Sequence, residues 1–284
     1  MKHTYTHSDG LGKLVLLLQE PVFEQNYFEQ KAGFTFHTIA WNRGMEMTVF
    51  IDEAAFAFKA NSILPIMLNQ SFRFERPEDI VAWQFNRDFY CIVNHDAEVG
   101  CVGFIFFGPS PMMFVKLEAI DIDMMNKLVS VFEQEYTSDD DIKGEMLRML
   151  LVRLIIKTTR LAKMQYLGTE EVKEEKFNLI RKFNLLVETH FRKEHQVQFY
   201  AGLLSKSPKT ISNIFSLYSK KSPQQIIQDR IITEARRLFY YTDKSVKEIA
   251  DELGFDDSAH FSKYFKNATS QNPSEVKKIK QKAS

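Results

Sequence analysis

Two short sets of polar side chains carry the recognition chemistry in this sequence. Lys209, Thr210, Ser212 and Asn213 form one set; Ser258, Ala259, His260 and Lys263 form the other. Each set is interleaved with an apolar triplet at helical spacing: Ile211, Ile214 and Phe215, then Phe261, Tyr264 and Phe265. On a helix the triplet faces inward and the polar set faces out. Outward groups of these kinds suit base edges in a DNA major groove. Asn213 can make two bonds to adenine, Lys209 and Lys263 can donate to guanine, and Ala259 can touch a thymine methyl. His260 can donate to a base or a phosphate. No catalytic set competes, since the chain holds no G-x-x-x-x-G-K-[ST], C-x-x-C, H-E-x-x-H or G-x-S-x-G pattern.

Helices must position these sets. Ser245 with Glu248 is a capping box, so a helix is expected from Val246, with Ile249, Ala250 and Leu253 on one face. Gly254 follows where a left-handed residue would end it. Asp256, Asp257 and Ser258 can cap the next helix. Two short helices around a glycine turn are the plan of a helix-turn-helix motif. The plan occurs twice. A helix over residues 197–205 precedes Ser207-Pro208, an N-cap followed by proline at the first helical position. Ala201 lies 14 residues before Phe215, as Ala250 lies 15 before Phe265.

Between the motifs, Ser222 and Gln225 form another capping box. They open a long helix with Ile227, Ile231, Ala235 and Leu238 on one face. Such a helix would hold the motifs at a fixed separation; at roughly 34 Å both reading helices enter successive major grooves. Lys220, Lys221, Lys244, Lys247 and Lys266 are candidate phosphate anchors. The helix starts at Ser207, Ser222 and Ser245 can add backbone N–H groups.

Charge supports a polyanion partner for this half. The whole chain is neutral, yet residues 1–175 carry 17 Lys/Arg against 26 Asp/Glu, and residues 176–284 carry 20 against 11. The 284 residues, 44% hydrophobic, suffice for two domains with separate cores. No apolar run approaches the ~18 residues of a membrane span, no secretory signal is read, and a cytoplasmic location is expected. Cys91 and Cys101 are read as buried free thiols.

Residues 12–118 read as β-rich, with short aromatic and β-branched runs at 34–41, 45–51, 63–68, 80–85, 89–93 and 101–107. A small antiparallel barrel or sandwich is expected. Its many phenylalanines are read first as core, the alternative being an apolar effector pocket. Helices follow over residues 122–136 and from Ser138 onward. The second has Met146/Leu147, Leu150/Leu151, Leu154/Ile155 and Leu161 as an apolar face, read first as contributing to a dimer interface, the alternative being purely intramolecular core. The polar stretch LGTEEVKEEK is taken as a boundary, and an amphipathic helix over residues 177–191 opens the basic half. The domains are therefore expected as 1–120 (β-rich), 121–166 (helical, dimerising), 167–176 (linker) and 177–284 (two helix-turn-helix motifs).

Residues 176–280, above all IITEARRLF, SVKEIADELGFDDSAHFSKYFK and Asn272-Pro273-Ser274, resemble the DNA-binding domain of the AraC/XylS family of bacterial transcription regulators. The resemblance implies a seven-helix domain binding double-stranded promoter DNA through the eight outward residues named above. By order and composition, the N-terminal half looks like the family's cupin-like effector-binding domain. The fold class implied is α+β multidomain, a cupin-like β-barrel domain with helices followed by an all-α domain. A small-molecule effector, RNA polymerase and a second copy are the implied partners, and activation the commoner outcome. Three positions depart from the family pattern. Lys220 and Ser270 stand where glycine is usual, and Lys206 where an apolar residue is usual. His37 and His95 are isolated, so neither a metal nor a cofactor is expected. The rival readings are a protein-interaction module without sequence-specific DNA binding and a cupin-type enzyme.

Overall fold

The structure, a computed structural model, describes residues 1–25, 36–52, 54–68, 70–99, 103–107, 112–167, 171–219 and 221–276. The chain forms two compact units, one from most of residues 1–173 and one built chiefly of residues 174–284.

In the N-terminal unit the strands are β1 (Lys2–Thr6), β2 (Lys13–Leu18), β3 (Glu24–Gln25), β4 (His37–Asn42), β5 (Met47–Ile51), β6 (Ala54–Phe58), β7 (Ser62–Ile66), β8 (Phe72–Phe74), β9 (Ile80–Phe85) and β10 (Val115–Lys116). They make a six-stranded sheet in the order β1-β2-β9-β4-β7-β10 and a four-stranded sheet in the order β3-β8-β5-β6. The described pairings are all antiparallel. Alternation divides the larger sheet's side chains. Val15, Leu17, Ala40, Leu64 and Ala82 meet Val49, Phe58, Phe72 and Phe74 of the smaller sheet in one core. Leu14, Leu16, Ile39 and Trp83 are buried on the other face, where Phe132 of helix α3 (Ala119–Thr137) lies 5.9 Å from Trp83. A sheet covered on both faces explains why β2 (KLVLLL) is apolar without alternation and why every residue of β4 is buried.

Three expectations fail in this unit. Over their described residues the apolar runs at 89–93 and 101–107 are not strands: Ile92 and Val93 begin helix α1 (Ile92–Val99), and Phe104–Phe107 form helix α2. Short apolar runs carry no decisive period, and here a local bond, His95 N–H to the Cys91 carbonyl at 3.1 Å, turns the chain helical. Cys91 is a half-buried free thiol, whereas Cys101 lies outside the described residues. Ser138 closes α3 instead of opening the next helix, α4 (Lys143–Leu167); the Lys143 ammonium donates to the Tyr136 and Ser138 carbonyls across the gap. Finally, Leu147, Leu151, Leu154, Ile155 and Leu161 are buried inside the unit itself. Most of the face assigned to a partner is the unit's own core; of that face Met146 is exposed, as are Met149 and Met164 elsewhere on α4.

The buried His37 is held neutral, its pKa lowered to about 3 by burial and then by the charge of Arg87. Among the described residues no three His, Cys, Asp or Glu side chains are grouped to hold a metal, and no helix is long and apolar enough to cross a membrane.

The second unit is helical: α5 (Glu171–His190), α6 (Val197–Leu203), α7 (Pro208–Tyr218), α8 (Pro223–Tyr241), α9 (Val246–Glu252) and α10 (Ser258–Thr269). Helical backbone resumes at residues 273–276. One core takes Phe183 and Val187 from α5, Ala201 from α6, Phe215 from α7, Ile231 and Leu238 from α8, Ala250 from α9, and Phe261 and Phe265 from α10. α5 starts in the polar stretch read as a linker, where Glu and Lys are good helix formers without an apolar face.

Candidate nucleic-acid interface

Three serines begin three helices. The Ser207 hydroxyl accepts from the Thr210 N–H at 3.0 Å, that of Ser222 from Gln225 at 3.3 Å, and that of Ser245 from Glu248 at 3.2 Å. At the last two the capping box closes in return, the Gln225 and Glu248 side chains accepting the serine N–H at 2.8 and 2.7 Å. Of the three candidates before α10, Asp257 is the cap, accepting the His260 N–H at 2.6 Å. Gly254 ends α9 with φ +72°, in the left-handed region that glycine enters without penalty.

These caps fix the rotation of α7 and α10. Ile211, Phe215, Phe261 and Phe265 are buried; Lys209, Ser212, Asn213, Ala259, His260 and Lys263 are exposed. Thr210 and Ser258 are half-buried. Thr210 is also engaged locally, its hydroxyl 2.9 Å from that of Ser207. The exposed faces continue one turn further to Ser216 and Asn267, two polar positions that the reading of the sequence left out although the same i+3/i+4 period reaches them.

The anchors divide. Lys247 and Lys266 are exposed and make no ion pair among the described residues. Lys221 reaches Asp229 at 2.6 Å and Lys244 pairs with Glu252; such surface pairs are worth little and exchange readily for a phosphate. Lys220 lies outside the described residues.

α8 is tied to α5 and to the loop that follows α5 by a network around a buried carboxylate. Glu234 accepts from Arg192 at 2.7 Å, Arg230 at 3.1 Å and Arg237 at 2.7 Å, while Arg230 also reaches Glu188 at 2.9 Å. Burial pushes the Glu234 pKa up. The charges of Arg230, Arg237 and Arg192, with an Arg237 hydrogen bond, outweigh it and leave the carboxyl at about 2. The bridging helix therefore has a fixed angle to the rest of the domain.

Two helix pairs, each with a capped second helix that exposes a polar face, share one core and form the candidate interface. Residues 200–279 match the family model described as a helix-turn-helix domain. This is an AraC-type domain.

The AraC-type domain has curated relatives. The transcriptional activator RhaS of Enterobacter sp. (strain 638) is 33% identical over 91 residues, 32% of this chain and 33% of that protein. RhaS of Salmonella schwarzengrund (strain CVM19633) is 24% identical over 156 residues, 55% and 54% of the two chains. The chain thus spans from a third to about half the length of these curated relatives. The solved structure of ToxT from Vibrio cholerae is 13% identical with a TM-score of 0.42, covering 97% of this chain and 96% of its own.

Proposed function

We propose that the protein is a transcription regulator that binds promoter DNA sequence-specifically through α7 and α10. The observation that carries this reading is the repeated geometry: two reading helices, each capped, each rooted by an inward aromatic, each presenting a polar face from one core. Asn213 and Lys209 on α7, with Ala259, His260 and Lys263 on α10, read bases; Ser212, Thr210 and Ser258 line the same faces. Lys247, Lys266 and Lys220 hold phosphates, with Lys221 and Lys244 leaving their surface pairs to join them. Ser207, Ser222 and Ser245 act mainly as caps, so the phosphate-facing groups at those helix starts are the first-turn N–H groups beyond them.

The relatives are transcription regulators, and the role proposed is regulatory, not enzymatic. The wider scheme is a cytoplasmic regulator, acting as a dimer, that adjusts RNA polymerase at a promoter. The N-terminal unit, with domain limits near 1–120 and 121–166, would hold a small-molecule effector. Control requires that effector to bind two states with different affinity. A cavity of about 360 Å³ lined by Met47, Thr48, Phe56, Glu75 and Arg76 lies in that unit.

The deciding experiment is selection of bound sequences from a random duplex pool by the full-length protein, repeated with Asn213→Ala and Lys263→Ala. The expected result is a motif in two blocks about one helical turn apart, with each variant relaxing a different block. Binding that fades with salt while ignoring sequence would overturn the proposal.

A further inference from the structure

The loop of residues 191–196, between α5 and α6, belongs to neither helix-turn-helix motif, yet it touches both and the helix between them. Toward the first motif, the buried Tyr200 of α6 donates its hydroxyl to the Glu194 carbonyl at 2.7 Å. Toward the bridge, the Gln224 amide donates to the His195 carbonyl at 3.1 Å, and Arg192 reaches the buried Glu234. Toward the second motif, His195 Nε2 lies 2.8 Å from the Leu253 carbonyl, which can only accept, so this nitrogen carries the proton. The His195 ring sits 4.6 Å from that of Phe255 and 6.5 Å from that of Tyr264 on α10. The Arg192 carbonyl closes on Gly254 so tightly that a Cβ there would lie 2.3 Å from it.

A bridging helix fixes the distance between two motifs, but each motif packs on it along one side. A swing about the helix axis would keep much of that packing. A third body bonded to both motifs and to the bridge removes the swing. We propose that this loop is the spacer that sets the angle of α10 relative to α7, with His195 as its positioning residue, and that it thereby determines the operator spacing the protein accepts. The inference rests on the DNA-binding reading above. His195 touches no base in this scheme; it acts through Leu253, Phe255 and Tyr264.

The test uses full-length protein and a duplex series in which the two blocks of the selected motif are moved apart or together by one base pair, roughly a tenth of a turn. Wild type should discriminate sharply against both changes. His195→Leu, which removes the donor, should reduce that discrimination by about 5-fold or more, a coupling on the order of 1 kcal/mol, with the base preference inside each block unchanged. His195→Gln, which can still donate to Leu253, should restore it. Gln224→Ala, an exposed change that leaves the core intact, should shift discrimination in the same direction by less. Thermal melting of each variant checks the fold. Unchanged spacing discrimination in both His195→Leu and Gln224→Ala, or a uniform loss at every spacing, overturns the proposal while leaving DNA recognition standing. A wild type that selects no two-block motif removes both.

Discussion

In the first helix-turn-helix motif the chain leaves α6 through Leu204, Ser205 and Lys206; in the second it leaves α9 through Leu253, Gly254 and Phe255. The backbones match bond for bond. Leu204 N–H meets the Tyr200 carbonyl at 3.1 Å and Leu253 that of Ile249 at 3.0 Å; Lys206 meets Ala201 at 2.9 Å and Phe255 meets Ala250 at 3.0 Å. Both middle residues are left-handed, Ser205 at φ +52° and Gly254 at +72°. The side chains part company. Ser205 and Lys206 are exposed, whereas Phe255 is buried among the rings of His195, Phe261 and Tyr264. One residue more, Asp256, then precedes the second cap. The backbone of such a turn is set by local bonding alone. Its surroundings decide whether the left-handed residue must be glycine and whether the next must be apolar.

The largest effect is expected at Gly254. Adding a Cβ there meets both the left-handed penalty and the Arg192 carbonyl at 2.3 Å, which is backbone and cannot swing aside. Gly254→Ala should cost about 4 kcal/mol, read as a lower urea midpoint of the C-terminal unit. Ser205→Gly should instead stabilise by up to about 1 kcal/mol, since only the left-handed strain is relieved. Equal costs for Gly254→Ala and Ser205→Ala would end the distinction between a packed and a free turn.

Phe255 and Lys206 occupy the same place after the left-handed residue, so truncating each to alanine compares them directly. Phe255→Ala should cost about 3 kcal/mol, the usual loss for a buried ring. Lys206→Ala should stay within about 0.5 kcal/mol of wild type, as an exposed position does. If the lysine variant lost as much as the phenylalanine variant, its stem would be packed against the motif after all.

The motifs were legible because helix caps are local. Ser207, Ser222 and Ser245 each cap the helix they were expected to open, and Gly254 takes the left-handed form. Ser270, standing where glycine is usual, adopts the same left-handed form at φ +60°. Where the outcome depends on distant partners, the sequence was less informative. The α4 leucines show a periodic apolar face, but periodicity does not say whether the same chain or another covers it; only their burial within the N-terminal unit answers that. β1 carries little strand signal because its residues are mostly polar, although Lys2–Thr6 pairs fully with β2. The contacts of residues 192–196 carry no signal in the sequence. A histidine in a polar loop is unremarkable until the fold brings the Leu253 carbonyl to it.

The smallest effect expected tests the motifs at their inward triplets. Ile214 in the first corresponds to Tyr264 in the second, and only the tyrosine brings a polar atom inside. Its hydroxyl is buried with no hydrogen-bond partner among the described residues, and burial raises its pKa, with the charge of Asp229 adding to the effect. A buried donor without an acceptor has lost its water contacts and gained nothing in exchange. Tyr264→Phe removes that atom, keeps the ring against Phe255, and makes the second motif as apolar there as the first. The variant should be unchanged or more stable by up to about 1 kcal/mol in thermal or urea unfolding, and should bind the same duplex as wild type. A loss of stability greater than that would mean the hydroxyl is bonded in solution. The second motif would then be anchored by a polar contact that the first lacks, and the difference between the two would extend from the turn into the reading helix itself.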